Sequence, residues 1–182
     1  MTRIQPVQPT QANENTQKLL DGVQRGLGMV PNMFKTLAHS SAALAGYLNF
    51  NQALGAALTT TLREQIALAV AGINGCDYCA SAHTLLGRNA GVSNEELAAN
   101  LAGQSSDVTT QAALSFALAV VEHRGRVADT DLAQIKAAGF TDADIVEIVS
   151  VVALNVLTNY FNLVAEPEID FPVVESKAAI GS

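Results

Sequence analysis

Residues 64–83, EQIALAVAGINGCDYCASAH, hold both cysteines of the chain, one of its three histidines and a glutamate twelve positions ahead of the first cysteine. Thr61 followed by Glu64 predicts a capping box, in which the threonine oxygen accepts from the third helical N–H and the glutamate reaches back to the cap. A helix therefore starts here and runs to about Asn74, where Gly75 breaks it. Cys76 and Asp77 open a second helix that reaches about Ala90, with Gly91 as its left-handed cap. On that helix Cys76, Cys79 and His83 fall at i, i+3 and i+7, stacked on one face.

That placement has chemical content. A thiol of ordinary pKa, about 8.5, is mostly protonated near neutrality, and the unpaired N–H groups at a helix start favour its thiolate. A CxxC pair at such a start can close a disulfide with little rearrangement, and His83, one turn beyond Cys79, is in range to take its proton directly or through water. Glu64 belongs to the preceding helix. The capping box supplies a structural reason for it, and an antiparallel return across Gly75 leaves its carboxylate two to three turns from the loop, at about 5.4 Å per turn. The cysteines read as a redox-active dithiol, with buried packing thiols as the plainer alternative. A Cys2His zinc site is a third reading, although His39 and His123 show no ligand-like spacing.

Outward from this stretch the chain keeps the helical period. Leu19, Leu20, Val23 and Leu27 share a face of a helix from about Ala12 to Arg25, stopped by Gly26 and Gly28. Pro31 starts a short helix through Leu37, Ser40 or Ser41 caps the next, and Ser93 with Glu96 forms a capping box. Asp107, Asp129 and Thr141 precede three further helices, the last a long one ending at Ala165. No alternating strand pattern is present. The expectation is an all-α protein of about eight helices in a single domain over residues 1–182, with an extended arm at 1–11 and a tail at 166–182 that packs over a neighbouring surface.

Charged residues make up 15% of the chain and hydrophobic ones 49%, too little charge to cover the surface of a monomer in the usual way, which predicts an oligomer. The net charge of −7 provides no basic stripe for phosphates, so nucleic acid is not expected as a partner. The segment at 145–164 is apolar but interrupted by Glu147, Asn155, Asn159 and Asn162, so no membrane partner is expected. The start, MTRIQPVQPT, lacks a signal-peptide pattern, and a cytoplasmic location is the expectation. The three asparagines read as interhelical or intersubunit hydrogen bonding rather than ligand contacts. His123 reads as a surface residue at a helix end, and His39 as a cap on the C-terminal end of its own helix.

Glu64, Cys76, Cys79 and His83, with their intervals of eleven, two and three residues, resemble the active-site signature of the AhpD-like alkylhydroperoxidases in the carboxymuconolactone decarboxylase superfamily. Val30-Pro31-Asn32-Met33-Phe34, Tyr47-Leu48, Gly75 to Cys79, Ala82-His83-Thr84 and Asn155 to Phe161 extend the resemblance to the branch called peroxidase-related proteins. It implies an AhpD-like helical fold assembling as a homotrimer or hexamer. It also implies reduction of organic hydroperoxides at the expense of a dihydrolipoyl or thioredoxin-like dithiol, with no cofactor. By motif position Cys79 would be the peroxidatic thiol, Cys76 the resolving thiol, and Glu64 with His83 a water-linked proton relay. Tyr78 stands where some relatives carry a second histidine. The alternatives are a thiol–disulfide oxidoreductase or redox sensor acting on proteins, and a structural homo-oligomer with inert thiols.

Overall fold

A computed structural model describes residues 2–176, and among these all regular structure is helical. The helices are α1 (Glu14–Leu27), α2 (Asn32–Leu37), α3 (Ser41–Leu54), α4 (Thr60–Asn74), α5 (Asp77–Asn89), α6 (Asn94–Leu101), α7 (Val108–Glu122), α8 (Asp129–Ala137) and α9 (Asp142–Ala165). That is nine among the described residues against the expected count of about eight. Even the short α2 is an element of its own, bounded by Pro31 and by the Ser40 cap of α3.

The axis of the single domain is α4. Every residue from Gln65 to Gly72 is buried, and α5, α6, α7 and α9 all pack against it. A helix apolar around its whole circumference must be enclosed on all sides, and the small residues Ala67, Ala69, Ala71 and Gly72 let neighbours approach closely. At Gly72 a methyl group would collide with the Leu101 carbonyl at the end of α6. Gly87 plays the same part on α5, where an added Cβ would lie 2.6 Å from Leu97 and 3.7 Å from the Cβ of Glu64. Two apolar clusters result. One joins Ile66, Val70, Leu114, Ile148 and Val152 between α4, α7 and α9. The other gathers Leu20, Val23, Met33, Phe34, Leu37 and Leu44 around Cys76, Tyr78 and Cys79.

The start of α4 corrects the expected capping box. Thr59, two residues earlier than Thr61, is the N-cap, its Oγ1 accepting from the Leu62 N–H at 3.2 Å. Three threonines run in sequence from 59 to 61, and the first has the extended backbone a cap requires. Thr61 instead donates across to the Ala90 carbonyl at 3.4 Å, and Glu64 is released from capping. At α6 the expected box forms only by half: Ser93 Oγ accepts from the Glu96 N–H, while the Glu96 carboxylate turns to Asn100, Ser105 and Ser106. These donors, Ser105 first, hold it down to about 2. At α9 the Thr141–Asp144 box is complete. Asp129 lies inside α8 rather than before it, where Asp131 receives the Ala128 N–H.

Both ends of the chain are fastened to the helices. In the arm, which includes a 3-10 turn at Pro9–Gln11, the N–H of Val7 donates to the Lys35 carbonyl and those of Arg3 and Ile4 to that of Ala165. His39 ties this arm down through Nε2 to the Gln5 carbonyl at 2.8 Å, so it does not cap its helix as expected. His123 is exposed at the end of α7. The tail after α9 lies on α5 and α2. Asp170 accepts from the Asn32 N–H and from the Tyr78 hydroxyl, Phe171 meets the Tyr78 ring edge-on, and Ser176 donates to Asp77. Residues 177–182 of the expected tail fall outside the described residues.

Candidate active site

The turn between α4 and α5 sets the dithiol. Gly75, at φ 69°, is the left-handed cap of α4, and the next residue is already the cap of α5. Cys76 has extended backbone there, and its Sγ receives the Cys79 N–H at 3.4 Å. The two sulfurs stand 2.9 Å apart, and both cysteines are free. A disulfide bond is about 2.05 Å long, so closure needs an approach of about 0.9 Å, within the reach of side-chain rotation. Cys76 and Cys79 are only 2% and 3% exposed, which closes the site to a folded surface.

The thiols differ in character. Cys76 donates its hydrogen to Cys79, which lowers the Cys79 thiol to about 7; burial opposes this, and the charge of His83 and the Asn162 amide assist it. The same hydrogen bond, together with burial, pushes the Cys76 thiol far up. Cys79 is therefore the sulfur that carries negative charge near neutrality, while Cys76 keeps its proton.

His83 is one turn further along α5, and its Nδ1 meets Glu64 Oε2 at 2.7 Å. Their side chains are 22% and 15% exposed. Burial pushes the imidazole down, but the Glu64 charge and hydrogen bond, with the Cys79 thiolate, outweigh it and raise the pKa of His83. This corrects the expected water-linked relay at the Glu64–His83 step: the contact is direct, because Gly87 lets α5 lie against α4 at the level of Glu64. Towards Cys79, His83 acts through its charge.

Two residues complete the site that the spacing of the motif did not single out. Asn162 of α9 donates from Nδ2 to Cys79 Sγ at 3.2 Å, an interhelical hydrogen bond of the kind expected for the α9 asparagines, here ending on the sulfur itself. Asn155 bonds to the Val151 carbonyl in its own helix, while Asn159 accepts from Asn74 at 2.9 Å. Tyr47 of α3 packs on Phe34, and burial, followed by the charges of Cys79 and Glu64, pushes its hydroxyl above the usual phenol range. The asparagine period was visible in the sequence, but its target lies 83 residues away. Tyr78 points away from the relay, with its hydroxyl held between Asp170 and the Met33 N–H. Among the described residues no group of three or more His, Cys, Asp or Glu side chains is arranged to hold a metal ion.

The structure joins a buried dithiol at a helix start to a carboxylate–imidazole pair on an all-helical scaffold of AhpD-like fold. Residues 41–123, from α3 to α7, match the Carboxymuconolactone decarboxylase family, and all four motif residues lie inside that match. The fold is similar to that of an alkylhydroperoxidase AhpD core, an uncharacterized peroxidase-related protein from Ralstonia eutropha JMP134, at 25% identity and a TM-score of 0.85 over 93% of this chain and 92% of that one. An uncharacterized peroxidase-related protein from Silicibacter sp. TM1040 aligns at 25% identity and a TM-score of 0.78, covering 91% of each chain. The debrominase Bmp8, at 21% identity, a TM-score of 0.78 and 93% of each chain, shares the fold alone. No curated protein matches the sequence.

Proposed function

We propose that the protein is a thiol-dependent peroxidase that reduces organic hydroperoxides through a Cys76/Cys79 dithiol–disulfide cycle. The observation that carries this reading is the unequal thiol pair, with the sulfurs 2.9 Å apart and Cys79 held to about 7 beside the His83–Glu64 pair. The likeness to peroxidase-related structures supports an antioxidant role. The Cys79 thiolate attacks the terminal oxygen of the hydroperoxide; an S–O bond forms, the O–O bond breaks, and two electrons pass from sulfur to the leaving alkoxide. His83, protonated and backed by Glu64, supplies the proton that makes the alcohol. Cys76 then attacks the sulfenic sulfur, the S–S bond forms, and the departing hydroxide leaves as water with the Cys76 proton. An external dithiol of the dihydrolipoyl class, slender enough to enter where a folded thioredoxin-like donor is not, restores both thiols, and the setting is the cytoplasm.

Burial of both sulfurs weighs against the alternative of an oxidoreductase for protein disulfides, since a folded partner cannot reach them directly. The outer face of α9 supports assembly with further copies of the chain, as a trimer or hexamer: Val146, Val149, Leu157, Tyr160 and Val164 are exposed there at helical intervals. By length and hydropathy α9 could cross a membrane, but half of its most apolar window is buried in the fold. The test is quenched mixing of reduced protein with an alkyl hydroperoxide, followed by mass measurement. The wild type loses two hydrogens between Cys76 and Cys79, Cys76→Ser stops after gaining one oxygen, and Cys79→Ser does not react. Undiminished turnover in either variant overturns the mechanism.

A further inference from the structure

Two buried amide atoms beside Cys79 have no partner: Nδ2 of Asn159, a donor, and Oδ1 of Asn162, an acceptor. Asn159 is 0% exposed and Asn162 3%. Buried polar groups are satisfied in the great majority of cases, and each exception costs about 1–3 kcal/mol. Two at one reacting sulfur call for a common cause. Neither amide is free to turn away. Asn74, at the end of α4, donates to Oδ1 of Asn159 and so directs its Nδ2 to the other side, towards Cys79 but without completing a hydrogen bond to its sulfur. Asn162 is fixed by its own Nδ2 on the sulfur.

One unmet donor and one unmet acceptor match a group that both accepts and donates a hydrogen bond. The terminal O–H of a hydroperoxide is such a group; the sulfur atoms of a disulfide offer no hydrogen to donate. We propose that Asn159 and Asn162 form a two-amide cradle that binds the O–H of the hydroperoxide against Cys79 Sγ and keeps it as the sulfenic O–H. This rests on the peroxidase reading and specifies how that site selects its substrate. The transferred oxygen accepts from Asn159 Nδ2, and its hydrogen is donated to Asn162 Oδ1. When the S–O bond forms and the O–O bond breaks, oxygen and hydrogen stay in the cradle, and only the alkoxide departs, towards the proton of His83. Asn74 is a positioning residue for Asn159.

The experiment compares two rates in wild type, Asn159→Leu, Asn162→Leu and Asn74→Ala. Alkylation of Cys79 by a haloacetamide across pH gives the thiolate fraction without peroxide; single-turnover oxidation by an alkyl hydroperoxide gives the oxygen-transfer step. The cradle predicts that, per thiolate, each leucine variant is oxidised about tenfold more slowly, ~1.4 kcal/mol, the upper part of the range for one hydrogen bond. Asn74→Ala, a change at a half-buried helix end that the core tolerates, loses about threefold, as for one neutral hydrogen bond. Alkylation per thiolate does not fall in any of the three, since losing an amide donor leaves the thiolate no less nucleophilic. A reactive wild type whose variants are oxidised at the wild-type rate per thiolate overturns the cradle and leaves the peroxidase reading standing. A wild type that alkylates normally but is not oxidised overturns both.

Discussion

Replacing Glu64 by glutamine keeps the shape of the side chain and removes only its charge. In the wild type that charge lies 2.7 Å from His83 Nδ1, in a pair whose side chains are 15% and 22% exposed. Burial alone pushes the imidazole towards its neutral form, and the carboxylate reverses the balance. In Glu64→Gln the imidazole therefore gives up its proton at lower pH, with two effects of the same sign. Cys79 loses a cationic neighbour, so the acid limb of activity, set near 7 by its thiol, moves up. The leaving alkoxide loses its acid, so the alkaline limb, set by His83, moves down. The bell-shaped pH profile narrows from both sides. A hydrogen bond to a charged group contributes about 1.5–3 kcal/mol, and partial exposure selects the lower part of that range, so oxidation near neutral pH slows about ten- to thirtyfold. The chain contains no tryptophan, so the rate is best followed by quenched flow and mass measurement across pH, with thermal melting as a control for folding. A folded Glu64→Gln protein with the wild-type rate and both limbs unmoved would refute the relay.

Three other outcomes follow from the packing. Gly72→Ala forces a methyl group onto the Leu101 carbonyl, a backbone atom that cannot swing aside; the expected loss is ~3 kcal/mol or more in denaturant unfolding, whereas a loss below about 1 kcal/mol would mean that α4 and α6 can part freely. Asp170→Ala removes the acceptor shared by Asn32 and Tyr78 and should cost about 1–3 kcal/mol while raising the alkylation rate of Cys79, since the tail covers the N-terminal end of α5; an unchanged alkylation rate would show that the tail does not control access. Glutamates at Val149 and Tyr160 place charge on the exposed face of α9 and should convert the proposed assembly to monomer in sedimentation velocity; a monomeric wild type, or a variant that keeps the wild-type mass, would refute an interface on this face.

The residues that act locally were legible in order along the chain. Gly75 as a left-handed stop, Cys76 as the first cap of α5, the i, i+3, i+7 stack and the Thr141–Asp144 box depend on hydrogen bonds within one turn, so their spacing alone defines them. Glu64 shows where that reasoning fails. Thr59, Thr60 and Thr61 offer equivalent hydroxyls, and the choice of Thr59 decides whether the carboxylate turns to its own backbone or to another helix. His39 was misread for a related reason, since its partner is the carbonyl of Gln5, far along the chain in an arm without periodicity.

By itself, then, the sequence determined an all-helical chain with a CxxC thiol pair at the start of a helix, because helix periodicity, caps and glycine stops are governed by neighbours a few residues apart. Only the tertiary structure decided what surrounds Cys79: a glutamate brought to His83 by the close approach at Gly87, and asparagines from α9 turned onto the sulfur. Those contacts join residues that share no local hydrogen bond, and they exist because α4 is buried on every side and draws α5 and α9 together.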